Sequence, residues 1–141
     1  VIALPKAYKT DIKVGDEVIV HHNVFRRWYD IHQNEKNSSS FLEENKYIVP
    51  EDQIFAYKRQ EKWNSLPGYC FVKPVAAKDS TIYKTGEEPL VGILKYGNKQ
   101  LEALGVKEGD EISFEPHSEY TFYVDGEKLY RMFTNNIMML L

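Results

Sequence analysis

The stretch that most constrains this chain occurs twice. A Lys-x-Gly-Asp-Glu turn runs directly into a short apolar strand at Lys13-Val14-Gly15-Asp16-Glu17-Val18-Ile19-Val20, and again at Lys107-Glu108-Gly109-Asp110-Glu111-Ile112-Ser113-Phe114. Gly15 and Gly109 can take positive φ without steric cost, while Asp16 and Asp110 can bond a nearby backbone amide, so each pair finishes a turn and aims the strand that follows. Beyond the turn, Val18 and Val20, like Ile112 and Phe114, fall on alternate positions, the period of a strand lying on a core. One Gly-Asp before a strand is common in any β-protein. Its recurrence with matched flanks points to a repeated unit.

The 141 residues are enough for one ordinary domain or two small ones of about 60 to 80 residues each, and the repeat favours two. A hydrophobic content of 43%, with ten Tyr among the aromatics, is that of a folded, β-rich chain. The net charge of -3 provides no electrostatic footprint for nucleic acid, and the cluster Arg26, Arg27, Trp28, Tyr29 reads as an exposed strand edge. Cys70, the only cysteine, excludes an intrachain disulfide and fits a reducing cytoplasm. No apolar run approaches the roughly 20 residues that span a bilayer, so no membrane partner is expected. Val1 to Leu4 reads as a strand caught in mid-domain, with the earlier part of the first unit expected to be missing.

Taken in order, Pro5 stops the first strand, Glu17 to His22 follows the first turn, and Phe25 to Ile31 is a second, aromatic strand. Asn34 to Ser40 is polar and reads as a loop; Lys46 to Val49 and Gln53 to Tyr57 resume the sheet, and the charged Lys58 to Lys62 reads as a connector. Tyr69 to Val75 opens the second unit with apolar residues on both faces, and Leu90 to Gly97 is its next long strand. Asp125-Gly126 between alternating runs is the strongest hairpin signal in the chain, and Ile137 to Leu141 is a closing strand. No segment has a sustained helical period. The expected fold is all-β, as two tandem small barrels spanning 1–60 and 66–141, with Val18, Val20, Ile48, Ile54, Val72, Ile93, Ile112, Phe114, Leu129 and Ile137 in their cores.

With that order in place, Leu66 to Leu141 resembles the GroES-like (chaperonin-10) co-chaperonin family. The resemblance is carried by an opening strand at Tyr69 to Val75, a loop at Lys78 to Pro89, Val91-Gly92-Ile93-Leu94-Lys95-Tyr96-Gly97-Asn98, Val106-Lys107-Glu108-Gly109-Asp110, Val124-Asp125-Gly126-Glu127 and a closing run at Thr134 to Leu141. The first unit is similar to the back half of the same pattern, through Val14-Gly15-Asp16-Glu17 and Pro50-Glu51-Asp52-Gln53-Ile54. The resemblance implies a non-catalytic co-chaperonin, cytoplasmic or virus-encoded, without cofactor. It also implies assembly as a homo-oligomeric ring, with a mobile loop that docks on a GroEL-like chaperonin ring. In that loop Ile82 and Tyr83 are the only large apolar pair, so the docking role falls to them.

Two alternatives stand beside this reading. One is a structural or assembly protein that keeps the barrel without chaperonin binding, suggested by the shortness of the 78–89 loop. The other is a cupin-like metalloenzyme, suggested by His21-His22 after Gly15; adjacent strand positions point to opposite faces, which argues against both histidines ligating one metal. No metal site or catalytic triad is expected.

Overall fold

The computed structural model describes residues 1–7, 9–76 and 87–141, and within these the regular secondary structure is mostly β-strand, joined by turns and irregular segments. The chain divides into two compact units, Val1–Glu61 and Lys62–Leu141.

In the first unit, β1 (Glu17–Val20) is followed by a single 3-10 turn at His22–Phe25 and by β2 (Arg27–Tyr29) and β3 (Glu35–Asn37), which pair antiparallel. β4 (Phe41–Glu43) and β5 (Lys46–Tyr47) form a second small hairpin, and β6 (Ile54–Arg59) returns antiparallel to β1. Among the described residues of this unit, Ile12, Val24, Phe55 and Ala56 are the buried apolar ones. The edge-to-face rings of Phe25 and Phe41 about Tyr47 fasten the 3-10 turn to the β4–β5 hairpin.

The second unit comprises β7 (Lys62–Ser65), β8 (Tyr69–Ala76), β9 (Glu87–Tyr96), the short helix α1 (Lys99–Ala103), β10 (Glu111–Phe114), β11 (Tyr120–Val124), β12 (Glu127–Phe133) and β13 (Ile137–Leu140). Six of these strands form one antiparallel sheet in the order β11-β12-β8-β9-β10-β13. The ladder is open among the described residues, so the closed barrel expected from sequence is not seen in the strand pairing. Cys70, Val72, Leu94, Leu101, Val106, Ile112, Phe114 and Met132 form the core, with Tyr130 and Ile137 packed against it. Phe71 is buried as well, its ring edge-on to Tyr96 and Phe122, which is why β8 reads as apolar on both faces. Gly92 is required by packing: a Cβ there would stand 2.2 Å from Val72 Cγ1.

The one α-helix among the described residues, α1, spans five residues and is capped where Asn98 Oδ1 accepts the Leu101 amide. Asn98 also donates to the Tyr69 carbonyl and the Thr134 hydroxyl, tying helix, β8 and the last turn together.

Several local expectations are corrected. Val1 to Leu4 forms no strand, and Ile2 is 76% exposed. Phe25 to Ile31 is a 3-10 turn followed by a three-residue strand, and its partner β3 lies inside the stretch read as a loop, because exposed polar residues pair as readily as apolar ones when a turn aligns them. Lys58 to Lys62 is no free connector: β6 runs through Arg59 and β7 starts at Lys62, leaving Gln60 and Glu61 at φ 51° and 61°. Of the expected core, Val72, Ile112, Phe114 and Leu129 are buried, while Val18, Val20, Ile54, Ile93 and Ile137 are half-buried. Ile48 is 65% exposed, since β5 ends at Tyr47 and the strand on which Ile48 was expected to face inward does not reach it.

Candidate functional site

The two Gly-Asp turns have the same geometry. Gly15 and Gly109 lie at φ 94° and 93°. Asp16 accepts the Lys13 amide at 2.7 Å and Asp110 accepts the Lys107 amide at 2.8 Å, and in both turns the Asp amide donates back to the Lys carbonyl at 3.1 Å. The hydrogen bonds around the turns recur too. Gly15 donates to Val1 O at 2.8 Å, and Gly109 to Leu94 O at 2.7 Å. The Val1 ammonium and the Leu94 amide each donate to the carbonyl of the turn aspartate, at 2.8 and 2.9 Å.

The strands launched by these turns also share a defect. β1 pairs with β6 as Ile19↔Ala56 and then Val20↔Ile54; β10 pairs with β13 as Ser113↔Met139 and then Phe114↔Ile137, so the bulge falls at the same place. Just past it, His21 donates to Gln53 O at 2.8 Å and Glu115 to Asn136 O at 2.9 Å, and each acceptor closes a 3-10 turn leading into the return strand.

The turns differ in electrostatics. Asp16 is 6% exposed and receives Arg59 through two hydrogen bonds, Nε to Oδ1 at 3.1 Å and Nη2 to Oδ2 at 2.6 Å. The Arg59 hydrogen bond, opposed by burial, holds the Asp16 carboxyl below its ordinary value. An open depression of about 550 Å³ lies beside this pair, lined by 13–17 and 58–61 with three cations and three anions. That balance favours neither an anionic nor a cationic ligand.

Ile82 and Tyr83, the candidate partner contacts, lie outside the described residues. Their frame is described: β8 ends at Ala76, β9 begins at Glu87, and these two residues are paired. Glu87 reaches across to β12, where Tyr130 Oη donates to Oε2 at 2.5 Å and Lys128 Nζ to Oε1 at 2.9 Å. Burial pushes the Glu87 carboxyl up, but the Tyr130 and Lys128 hydrogen bonds outweigh it and hold the group below its ordinary value. The ladder is irregular here. Between Pro74↔Gly92 and Ala76↔Glu87 one residue on β8, Val75, spans the same interval as 88–91 on β9. Leu90, on that bulge, has φ 59° and is 38% exposed.

His21 and His22 stack with ring centroids 4.3 Å apart, and His21 Nδ1 accepts the Asn23 amide. Among the described residues no group of three or more metal-ligating side chains converges. The Cys70 thiol is pushed up to about 12 by burial, which makes it a core residue rather than a nucleophile. Among the described residues no helix is long and apolar enough to cross a membrane.

Two features were missed in the sequence. Arg131 lies over the rings of Tyr120, Phe133 and Tyr69 at 5.0, 5.6 and 5.8 Å, an arrangement set by the pairs Tyr120↔Arg131 and Phe133↔Tyr69. The two-residue Asp125-Gly126 turn fixes the first pair by counting outward, so that signal was present. The other is the β2–β3 hairpin of the first unit. Its tip is stiffened by Asp30 Oδ1, which accepts the His32 and Asn34 amides, and it leaves Tyr29 71% and Ile31 93% exposed. No protein-family model matches the sequence, and no curated protein matches it either.

Proposed function

We propose that this protein is a non-catalytic, co-chaperonin-like protein that binds and caps a chaperonin ring to assist protein folding, built from two GroES-like β-units in tandem. The observation that carries the reading is the recurrence of one hydrogen-bonded device in both units: Lys-x-Gly-Asp turn, strand, bulge one residue before the strand's end, and 3-10 turn into the return strand. Matching a turn, a bulge and a closing bond together is far more restrictive than matching a Gly-Asp pair. Between the bulge and the closing turn the first unit carries two small hairpins where the second carries one, so the first is an elaborated copy.

In this function Ile82 and Tyr83 supply the contact, from the stretch of sequence between the paired residues Ala76 and Glu87. Ordering a loop on binding costs entropy for each residue fixed, so single contacts are weak and capping depends on several copies engaging one ring. The outer strand β13, with Met138, Met139 and Leu140 exposed, supports self-association of the chain into such an assembly.

The test is retention of the protein on an immobilised GroEL-type ring with and without ATP, with the oligomeric state of the free protein measured by light scattering. Nucleotide-dependent retention of an oligomer is expected. A monomer that is never retained overturns the capping role and leaves the structural, assembly-type reading.

A further inference from the structure

The two matched turns differ in what lies beside the strand they launch. In the second unit β10 is covered on both sides, by β13 and by β9, the latter in the register Glu111↔Ile93, Ile112↔Gly92, Ser113↔Val91. In the first unit β1 pairs with β6 alone among the described residues, and the place of β9 is open. The hydrogen bonds fix where that place lies. Leu94 donates to Asp110 O and accepts from Gly109, and Val1 makes the same two bonds with Asp16 and Gly15, so Val1 stands where Leu94 does. Asp110 bonds toward β9 while Glu111 accepts the Leu141 amide on the other side, and this alternation turns the backbone of Ile112 to β9 and that of Val18 to the open side. Burial agrees. Ile112 and Phe114 are buried, whereas their counterparts Val18 and Val20 are half-buried. Ile19 stands where the second unit has Ser113, so the outer face of this edge is the more apolar of the two.

We propose that the free edge of β1 is a docking site for an extended, apolar segment of another polypeptide, which adds as a strand antiparallel to β1 with its backbone bonded to Val18 and an apolar residue beside Ile19. The second unit supplies the template: the segment takes the part that Val91-Gly92-Ile93 plays on β10. A second copy of β1 cannot fill the edge, because an antiparallel pair centred on Val18 would run its 3-10 turn at His22–Phe25 into Val1. The site depends on the match between the two turns and not on the chaperonin ring.

The test uses the full chain and a dye-labelled synthetic peptide, Glu-Glu-Pro-Leu-Val-Gly-Ile, the 87–93 stretch that stops where Val1 takes over. Saturable binding by fluorescence anisotropy is expected, with the Val18 amide resonance shifting and that of Ile112 unmoved. N-methylation of the peptide at its glycine, whose amide faces Val18, should weaken binding by about tenfold or more through the lost backbone bond, while N-methylation at its valine, whose amide faces away, should leave binding unchanged. Ile19→Lys should weaken binding with the melting temperature near the parent's, and Ser113→Lys, on the strand already covered on both sides, should not. Absence of binding, or equal losses from the two methylations, would overturn the site. So would a Val18 amide as protected from hydrogen exchange in the dilute free chain as that of Ile112, since the edge would then already be closed. Light scattering tests the remaining occupant: self-association with rising concentration that Ile19→Lys abolishes would fill the edge with a second copy and overturn the foreign partner.

Discussion

Arg59 grips Asp16 with two nitrogens of its guanidinium, Nε at 3.1 Å from one carboxylate oxygen and Nη2 at 2.6 Å from the other, and the second oxygen also takes the Lys13 amide. The Asp16 carboxylate therefore fastens the turn and joins it to the last residue of β6, 43 positions later. Asp110 has the same turn role and is half-buried. Asp16→Ala is expected to lower the melting temperature of the first unit by several degrees, and Asp110→Ala to affect the second unit less. Thermal melts followed by a probe in each unit check this, and equal shifts would mean that Arg59 adds nothing.

The same pair gives a pH dependence. Asp16 has its folded-state value lowered from 3.8, chiefly by the Arg59 hydrogen bond against the opposing effect of burial. Its stabilisation is therefore complete above that unfolded value and is lost as the pH falls through the lower folded one. Acid titration of Asp16→Asn against the parent should show the two stability curves converging below pH 3.8 and separated at neutral pH.

Gly15 and Gly109 allow a matched test of the two turns. Both lie at φ near 93°, and a Cβ added at either would meet no atom within 4 Å, so the only penalty for alanine is conformational. Crowding in the left-handed region costs about 1–2 kcal/mol, partly offset by the loss of glycine's freedom in the unfolded chain. Gly15→Ala and Gly109→Ala should each destabilise their own unit by about 1 kcal/mol in urea titrations, within roughly 0.5 kcal/mol of one another. A large difference between them would show that the turns are not equivalent.

The readability of this chain followed the strength of its local signals. The Gly-Asp turns and the Asp125-Gly126 hairpin were legible because their geometry is dictated by two or three adjacent residues, and Asp125 and Gly126 do both take positive φ, at 51° and 80°. The strand β13 and the part of β9 from Leu90 onward were legible from apolar runs, and β8 from apolar residues on both faces. Glu87, Glu88 and Pro89, expected in the loop, already belong to β9, because two carboxylates and a proline give no apolar run to mark the pairing with β8. The β2–β3 hairpin was not, because Glu35-Lys36-Asn37 has no apolar pattern and its pairing depends on the Asp30 turn. Neither was the turn at Gln60-Glu61, where two long side chains adopt a conformation that glycine or asparagine usually supplies. The Glu87 clamp was beyond reach for a different reason: its partners lie 41 and 43 residues away, across an intervening strand.

Ile112 is fully buried, on a strand paired on both sides. An aspartate there would have no partner among Cys70, Val72, Leu94 and Met132, the apolar residues of the same core. Leaving a charge unpaired in that position costs several kcal/mol, comparable to the roughly 5 kcal/mol by which a small domain is stable. Ile112→Asp should abolish the cooperative transition of the second unit, read by near-ultraviolet circular dichroism. A variant that melts as the parent does would place Ile112 outside the core.

The last prediction concerns Ile82 and Tyr83, and it follows from their place in the sequence between the paired ends Ala76 and Glu87. A few apolar anchors carry most of the energy of an interface, at roughly 2 kcal/mol or more each. When several copies bind one ring, losing the anchors from every copy multiplies the effect, since each binding event raises the effective concentration for the next. The Ile82→Ser, Tyr83→Ser double variant should therefore lose retention on the ring while keeping the parent's melting temperature. Unchanged retention would move the contact away from this pair. Lost retention with a lowered melting temperature would instead assign the pair to packing.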